Sequence, residues 1–139
     1  MTAAMILAPV FALVALTFIL LFRLGPMRLR AVSRGEVGRE ALLDPRAFPE
    51  PCQQAANAFA NQFELPVLFY VLTTLAFVTR KADVIFVILA WVFVATRYAH
   101  AFVHVTSNDV KLRFPLFAAG AVVLLIMWVL FALAILLNI

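Results

Sequence analysis

The sequence predicts an all-α integral membrane protein in which four helices form a bundle. Of its 139 residues, 66% are hydrophobic and only 13% are charged. A soluble domain of this size needs far less apolar surface. The apolar residues also fall into runs that approach or exceed the roughly 20 residues a helix needs to cross about 30 Å of hydrocarbon.

Three of the four spans can be placed from these runs alone. The first and last, residues 3–22 and 114–137, are free of charged residues. The third, residues 83–107, is long enough to cross but carries Arg97, His100 and His104 in its second half. The first span lacks the basic segment and the small-residue cleavage site of a secretory signal peptide. It is therefore expected to be a retained transmembrane helix.

The second span has to extend into polar sequence. Between residues 65 and 79 there are only fifteen uncharged residues, which as a helix would cover about 22 Å. A complete crossing therefore requires an earlier start, and the span is placed at 52–80, with Asn61 and Glu64 at membrane depth. Pro66 cannot donate a hydrogen bond to the Gln62 carbonyl and is expected to kink this helix.

The basic residues orient the predicted bundle. Loops one and three contain eight of them and loop two contains two; the eight are Arg23, Arg28, Arg30, Arg34, Arg39, Arg46, Lys111 and Arg113. Because basic loops stay in the cytoplasm, both termini are expected to face away from it. The net charge of +4 then forms a collar that favours anionic lipid headgroups, and nucleic acid is not an expected partner.

Two polar stripes mark the candidate site. Asn57, Asn61 and Glu64 follow an i, i+4, i+7 spacing, and Arg97, His100 and His104 an i, i+3, i+7 spacing. Each set lies within about 60° around its helix. We expect the stripes to meet, with Glu64 pairing with Arg97 or His100 within one subunit or between subunits.

Ionisable groups at membrane depth usually mark function, although buried polar residues also hold helices together without any chemistry. His100 and His104 have a spacing that suits a metal, but the residues between them lack the Glu of the zinc-hydrolase signature. No metal site is therefore predicted. Cys52 is the only cysteine and is interpreted as a free thiol.

Two segments resemble the MAPEG family, the membrane-associated proteins in eicosanoid and glutathione metabolism. They are NAFANQFELPVLFYVL, residues 57–72, and RYAHAFVHVTSNDVKLRFPLF, residues 97–117. The matching features are Asn61 followed by Glu64, Arg97 followed by His100, and Pro115 opening the fourth helix. The resemblance extends over essentially the whole chain and is to the bacterial-type members of the family.

The resemblance implies a homotrimer in a bacterial inner membrane, with glutathione bound between neighbouring subunits at the cytoplasmic side and lipophilic substrates arriving from the bilayer. Glutathione would be the cosubstrate of a transferase or peroxidase. Its expected ligands are Asn57, Asn61, Glu64, His100 and His104, and the expected catalytic residues, which stabilise the thiolate, are Arg97 and Arg113.

The chain departs from the family at three positions. Glutathione-using members carry arginines where this sequence has Asn57 and Ala60, and a tyrosine where it has His104. Lys111 and Arg113 can supply part of the missing positive charge. A second function class therefore stays open: a non-catalytic or transport-like membrane protein in which Glu64, Arg97 and His100 form a structural polar network.

Overall fold

The computed structural model is all-helical and describes residues 1–139, apart from the side chains of Ala41 and Leu42. Four helical segments are long and apolar enough to cross a membrane: Ala3–Ser33, Glu50–Val78, Val84–Val105 and Val110–Leu136. The predicted fold class, a multi-pass helical membrane protein, is confirmed. The two ends of the bundle differ in charge and polarity. We call the end that contains the Arg34–Pro49 connection the basic end.

Helix α1, Ala3–Ser33, begins where the Thr2 hydroxyl accepts a hydrogen bond from the Met5 amide at 3.2 Å. It ends at Ser33 rather than at residue 22, because the residues after 22 are mostly good helix formers. The helix stops where Gly35 adopts a φ of 70°. The amides of Gly35 and Glu36 then satisfy the last free carbonyls, which is a Schellman ending.

The second span is broken rather than continuous. Helix α2 covers Glu50–Ala60, a 3₁₀ turn covers Asn61–Phe63, and helix α3 covers Leu65–Val78. The sequence predicted one helix over 52–80 with a kink at Pro66; the structure replaces that kink by a 3₁₀ turn just before the proline. Pro66 has no N–H with which to continue the helical ladder, and Glu64, two residues before it, departs from helical geometry, with φ −103° and ψ −107°.

Helices α4, Val84–Val105, and α5, Val110–Leu136, both start at an aspartate. The Asp83 carboxylate accepts from the Phe86 amide at 2.8 Å, and the Asp109 carboxylate from the Lys111 amide at 3.0 Å. The cap at Asp109 starts α5 before the expected position of 114. Pro115 therefore lies inside the helix instead of opening it.

The bundle has a packed interior and an apolar exterior. Phe69 of α3 and Phe93 of α4 are fully buried and stacked, with ring centroids 5.0 Å apart. Helices α4 and α5 approach closely at Gly120, where an added Cβ would lie 2.8 Å from the Thr96 hydroxyl oxygen. Large apolar side chains such as Leu125, 63% exposed, cover the outside, as contact with lipid requires.

Candidate functional site

A polar cleft of about 380 Å³ opens at the basic end, between α2, α4 and α5. It brings together five of the seven residues predicted from the sequence. Its complete lining is Asn57, Asn61, His100, His104, Val110, Arg113, Phe114 and Phe117. The side facing α5 is partly aromatic, so the cleft combines hydrogen-bonding groups with an apolar wall.

Arg97 lies one turn deeper in the membrane than His100 and is 1% exposed. Its Nη2 donates to the Asn61 carbonyl at 3.4 Å, while its Nε and Nη1 have no partner among the described residues. The 3₁₀ turn at Asn61 makes this contact possible, because it turns a main-chain carbonyl toward α4. Unused donors on a buried guanidinium are costly, about 1 to 3 kcal/mol or more for each one.

The two histidines are also buried, at 4% and 5% exposure for His100 and His104. Their ring centroids are 5.8 Å apart, and His100 lies 5.9 Å from the ring of Phe117. The Asn61 amide nitrogen is 3.4 Å from His104 Nδ1. A hydrogen bond there requires Nδ1 to accept, so a neutral His104 carries its proton on Nε2 and can donate from that atom.

Glu64 does not follow the predicted polar stripe, whereas Asn57 and Asn61 both line the cleft. Glu64 is exposed and is not part of the cleft lining. The only ion pair within the described residues joins Arg46 to Asp44 at 3.1 Å, so the expected pairing of Glu64 with Arg97 or His100 inside one subunit is wrong. The break before α3 is the reason, since it rotates Glu64 away from the line through Asn57 and Asn61. A pairing between subunits stays a prediction.

Arg113 is half-buried at the cleft, and its Nη1 donates to the Asn108 carboxamide oxygen at 2.6 Å. The early start of α5 places Phe114 and Phe117 in the same wall. Sequence reasoning included neither aromatic residue in the site. Asp109 was the available signal, since an aspartate just before an apolar run is a typical N-cap.

Gln62 was also missed as a buried polar group. It is 2% exposed, its Nε2 donates to the Ala58 carbonyl at 3.3 Å, and its Oε1 has no partner in the described part of the chain. Gln62 follows the buried Ala55 and Ala58 at i+7 and i+4, so it continues the buried face of α2.

These features define a polytopic membrane protein with a polar, partly aromatic cleft at the basic end of its spans. The MAPEG family matches residues 6–133, and the chain therefore belongs to that family. Comparison with curated proteins and with solved structures gives no match. The resemblance stated from residues 57–72 and 97–117 is thus confirmed at the level of the family.

Proposed function

We propose that this protein is a membrane-embedded transferase or peroxidase that uses glutathione as its cosubstrate and takes lipophilic substrates from the bilayer. Membership of the MAPEG family supports the reaction class. The observation that carries the proposal is the buried Arg97, with two unused donors, next to a cleft that also holds Arg113. A buried cation with free donors favours an anionic ligand.

The residues of the cleft suit the chemistry of glutathione, a tripeptide with two carboxylates, an amino group and a thiol. The amides of Asn57 and Asn61 and the rings of His100 and His104 supply hydrogen bonds for its peptide and carboxylate groups. Arg113 supplies a half-buried positive charge. Phe114 and Phe117 provide an apolar wall for a lipophilic substrate.

Arg97 and Arg113 would promote the reaction by stabilising the thiolate. A free cysteine thiol has a pKa of about 8.5 and is mostly protonated at neutral pH, and a nearby guanidinium favours the ionised form. In the transfer reaction, the thiolate sulfur forms a bond to an electrophilic carbon. In a substitution the leaving group departs with the electron pair of the broken bond, and in an addition that electron pair takes up a proton. In the peroxidase reaction, two glutathione thiols reduce a hydroperoxide to an alcohol and water and become a disulfide.

A homotrimer completes the site in this proposal. Glu64 is exposed on the single chain at membrane depth, where a lipid-facing carboxylate is costly. Association of subunits would cover it and bring it to the amino group of glutathione or to a cation of the neighbour. The basic end would face the cytoplasm, as the eight-to-two distribution of basic residues suggests, and reporter fusions near Arg34 and after Ile139 test that orientation.

One observation favours the alternative, a structural network without catalysis. Arg97 already ties α4 to the broken span through the Asn61 carbonyl. In addition, Asn57 and Ala60 stand where glutathione-using members carry arginines, which removes two carboxylate anchors. Under this alternative the polar groups hold the helices together and no anion binds.

Thermal unfolding in mild detergent, with and without reduced glutathione, separates the two functions. A ligand that binds only the folded state stabilises it by about 2.7 kcal/mol at a hundredfold excess over its dissociation constant. We expect millimolar glutathione to raise the Tm of the wild type and to leave the Tm of Arg113→Gln unchanged. Lys111→Gln is the matched control, because Lys111 is an exposed cation on the same turn of α5 but outside the cleft lining.

The Tm without glutathione shows whether each variant is folded. If the wild type shows no shift at any millimolar concentration, the glutathione proposal is abandoned for the structural network. An equal loss of the shift in both variants would show that Arg113 has no specific role.

A further inference from the structure

The basic-end third of α1 has an arginine line that the proposed function does not use. Arg23, Arg30 and Arg34 are spaced i, i+7, i+11, which places them within about 40° around the helix. All three are exposed. We call them the arginine line.

An apolar line runs beside it on the same helix. Phe11, Phe18, Phe22 and Leu29 are 65%, 50%, 70% and 72% exposed. They are spaced i, i+7, i+11, i+18, so they also share one side of the helix. Phe22 and Leu29 each precede an arginine of the arginine line, which places the two lines about 100° apart. The apolar line is continuous from the middle of the span to the turns that carry the arginines.

The length of α1 determines what surrounds these turns. Its 31 residues extend over about 46 Å, against about 30 Å for the hydrocarbon core. The last turns therefore project into the headgroup layer. Leu29 remains apolar and exposed at that level, as in an amphipathic segment at a membrane surface.

No residue of the arginine line forms an ion pair within the described residues, and other arginines of the same end are engaged. Arg28 lies over the Phe48 ring at 5.1 Å, and Arg46 is paired with Asp44. Arg30 and Arg34 instead line an open cleft of about 220 Å³ between α1 and the start of α2. Glu36 also lines this cleft, but it forms no ion pair with either arginine within the described residues.

We propose that this surface of α1 is a binding site for an anionic phospholipid. The headgroup phosphate lies between Arg30 and Arg34, with Arg23 below it, and an acyl chain lies along Phe22 and Phe18. Two features on one helix support this occupant: a positive surface at headgroup level and an apolar surface that continues from it into the hydrocarbon. The site is separate from the cleft of His100 and His104, so it stands whether or not glutathione binds.

Native mass spectrometry of the full-length protein tests the proposal, with equimolar phosphatidylglycerol and phosphatidylethanolamine of the same acyl chains added in mild detergent. We expect the wild type to retain phosphatidylglycerol preferentially. The double variant Arg30→Gln/Arg34→Gln should reduce that preference by about five-fold for each arginine removed. Arg46→Gln is the control for the loss of one positive charge, since Arg46 is paired with Asp44, and it should keep the preference.

A further variant and a competitor define the remaining outcomes. Leu29→Ser should lower the retention of both lipids without changing their ratio. The proposal is overturned if the wild type shows no preference, if Arg46→Gln loses as much as the double variant, or if inorganic phosphate displaces the lipid completely, which would indicate a free-anion site. Loss of subunit association in the double variant would also overturn it, because a second copy would then be the occupant. The Tm of each variant without added lipid verifies that it is folded.

Discussion

The two ends of the bundle each contain a cleft of similar size, but they differ in how their polar groups are used. One cleft opposite the basic end, about 300 Å³, lies between the start of α4 and the end of α5 and has walls that include Phe86, Leu89 and Met127. Its polar groups are already engaged: Asp83 caps α4, and Lys81 Nζ donates to the Ile139 carbonyl at 3.0 Å. We call it the apolar cleft.

The cleft at the basic end that is lined by His100 and His104 has the opposite character. It is lined by amides, imidazoles and a guanidinium, and the buried Arg97 beside it retains two donors without a partner in the described chain. Volume does not distinguish the two clefts, since both are of several hundred Å³. Unused hydrogen-bonding capacity does, because it costs free energy unless a ligand satisfies it.

The largest expected difference between the two ends is in the effect of removing one cation on glutathione binding. Arg97→Leu should weaken glutathione binding by at least about ten-fold, since hydrogen bonds to charged groups contribute about 1.5 to 3 kcal/mol. Lys81→Leu, at the apolar cleft, should leave binding unchanged. Calorimetric titration with glutathione measures both, and wild-type affinity in Arg97→Leu would remove this residue from the proposed site.

The double variant Arg97→Leu/Glu64→Leu sharpens this result. If the two residues pair between subunits, Arg97→Leu alone strands a carboxylate and destabilises the assembly, and the double change restores it. The double variant should then assemble and still fail to bind glutathione. Native mass spectrometry reports the assembly, and restored binding in the double variant would contradict a direct role for Arg97.

An intermediate effect is expected where α4 and α5 meet between the two clefts. Gly120→Ala should destabilise the fold by about 1 to 3 kcal/mol through overpacking, because its Cβ would lie 2.8 Å from the Thr96 hydroxyl oxygen. Adding Thr96→Ala should recover most of that stability. Gly25→Ala is the control, since its Cβ would meet nothing within 4 Å. Thermal unfolding measures all three, and an unaffected Gly120→Ala would refute the close approach.

The smallest effect compares the two aspartate caps. Asp83→Ala and Asp109→Ala should each cost about 1 kcal/mol of stability. Only Asp109→Ala should also weaken glutathione binding, because the first turns of α5 carry Arg113 and Phe117 into the cleft. Unfolding midpoints and glutathione titrations of both variants test this difference, and equal affinities would show that the cap at Asp109 does not position the site.

The sequence alone determined the four spans, the basic end and the local distortion at Pro66. Each of these follows from properties that act over short stretches: the length of an apolar run, the charge of a loop, and the missing N–H of a proline. The grouping of Arg97, His100 and His104 on one buried face also followed from helical spacing, because α4 is unbroken through that segment.

Only the tertiary structure decided which polar groups meet. The contact between Arg97 and the Asn61 carbonyl and the absence of Glu64 from the cleft lining both involve the 3₁₀ turn between α2 and α3. A helical period predicts side-chain directions only while the helix continues, and a break rotates every later residue by an amount that the packing against other helices sets. The aromatic wall of the cleft, Phe114 and Phe117, likewise depends on how α5 packs against α2 and α4.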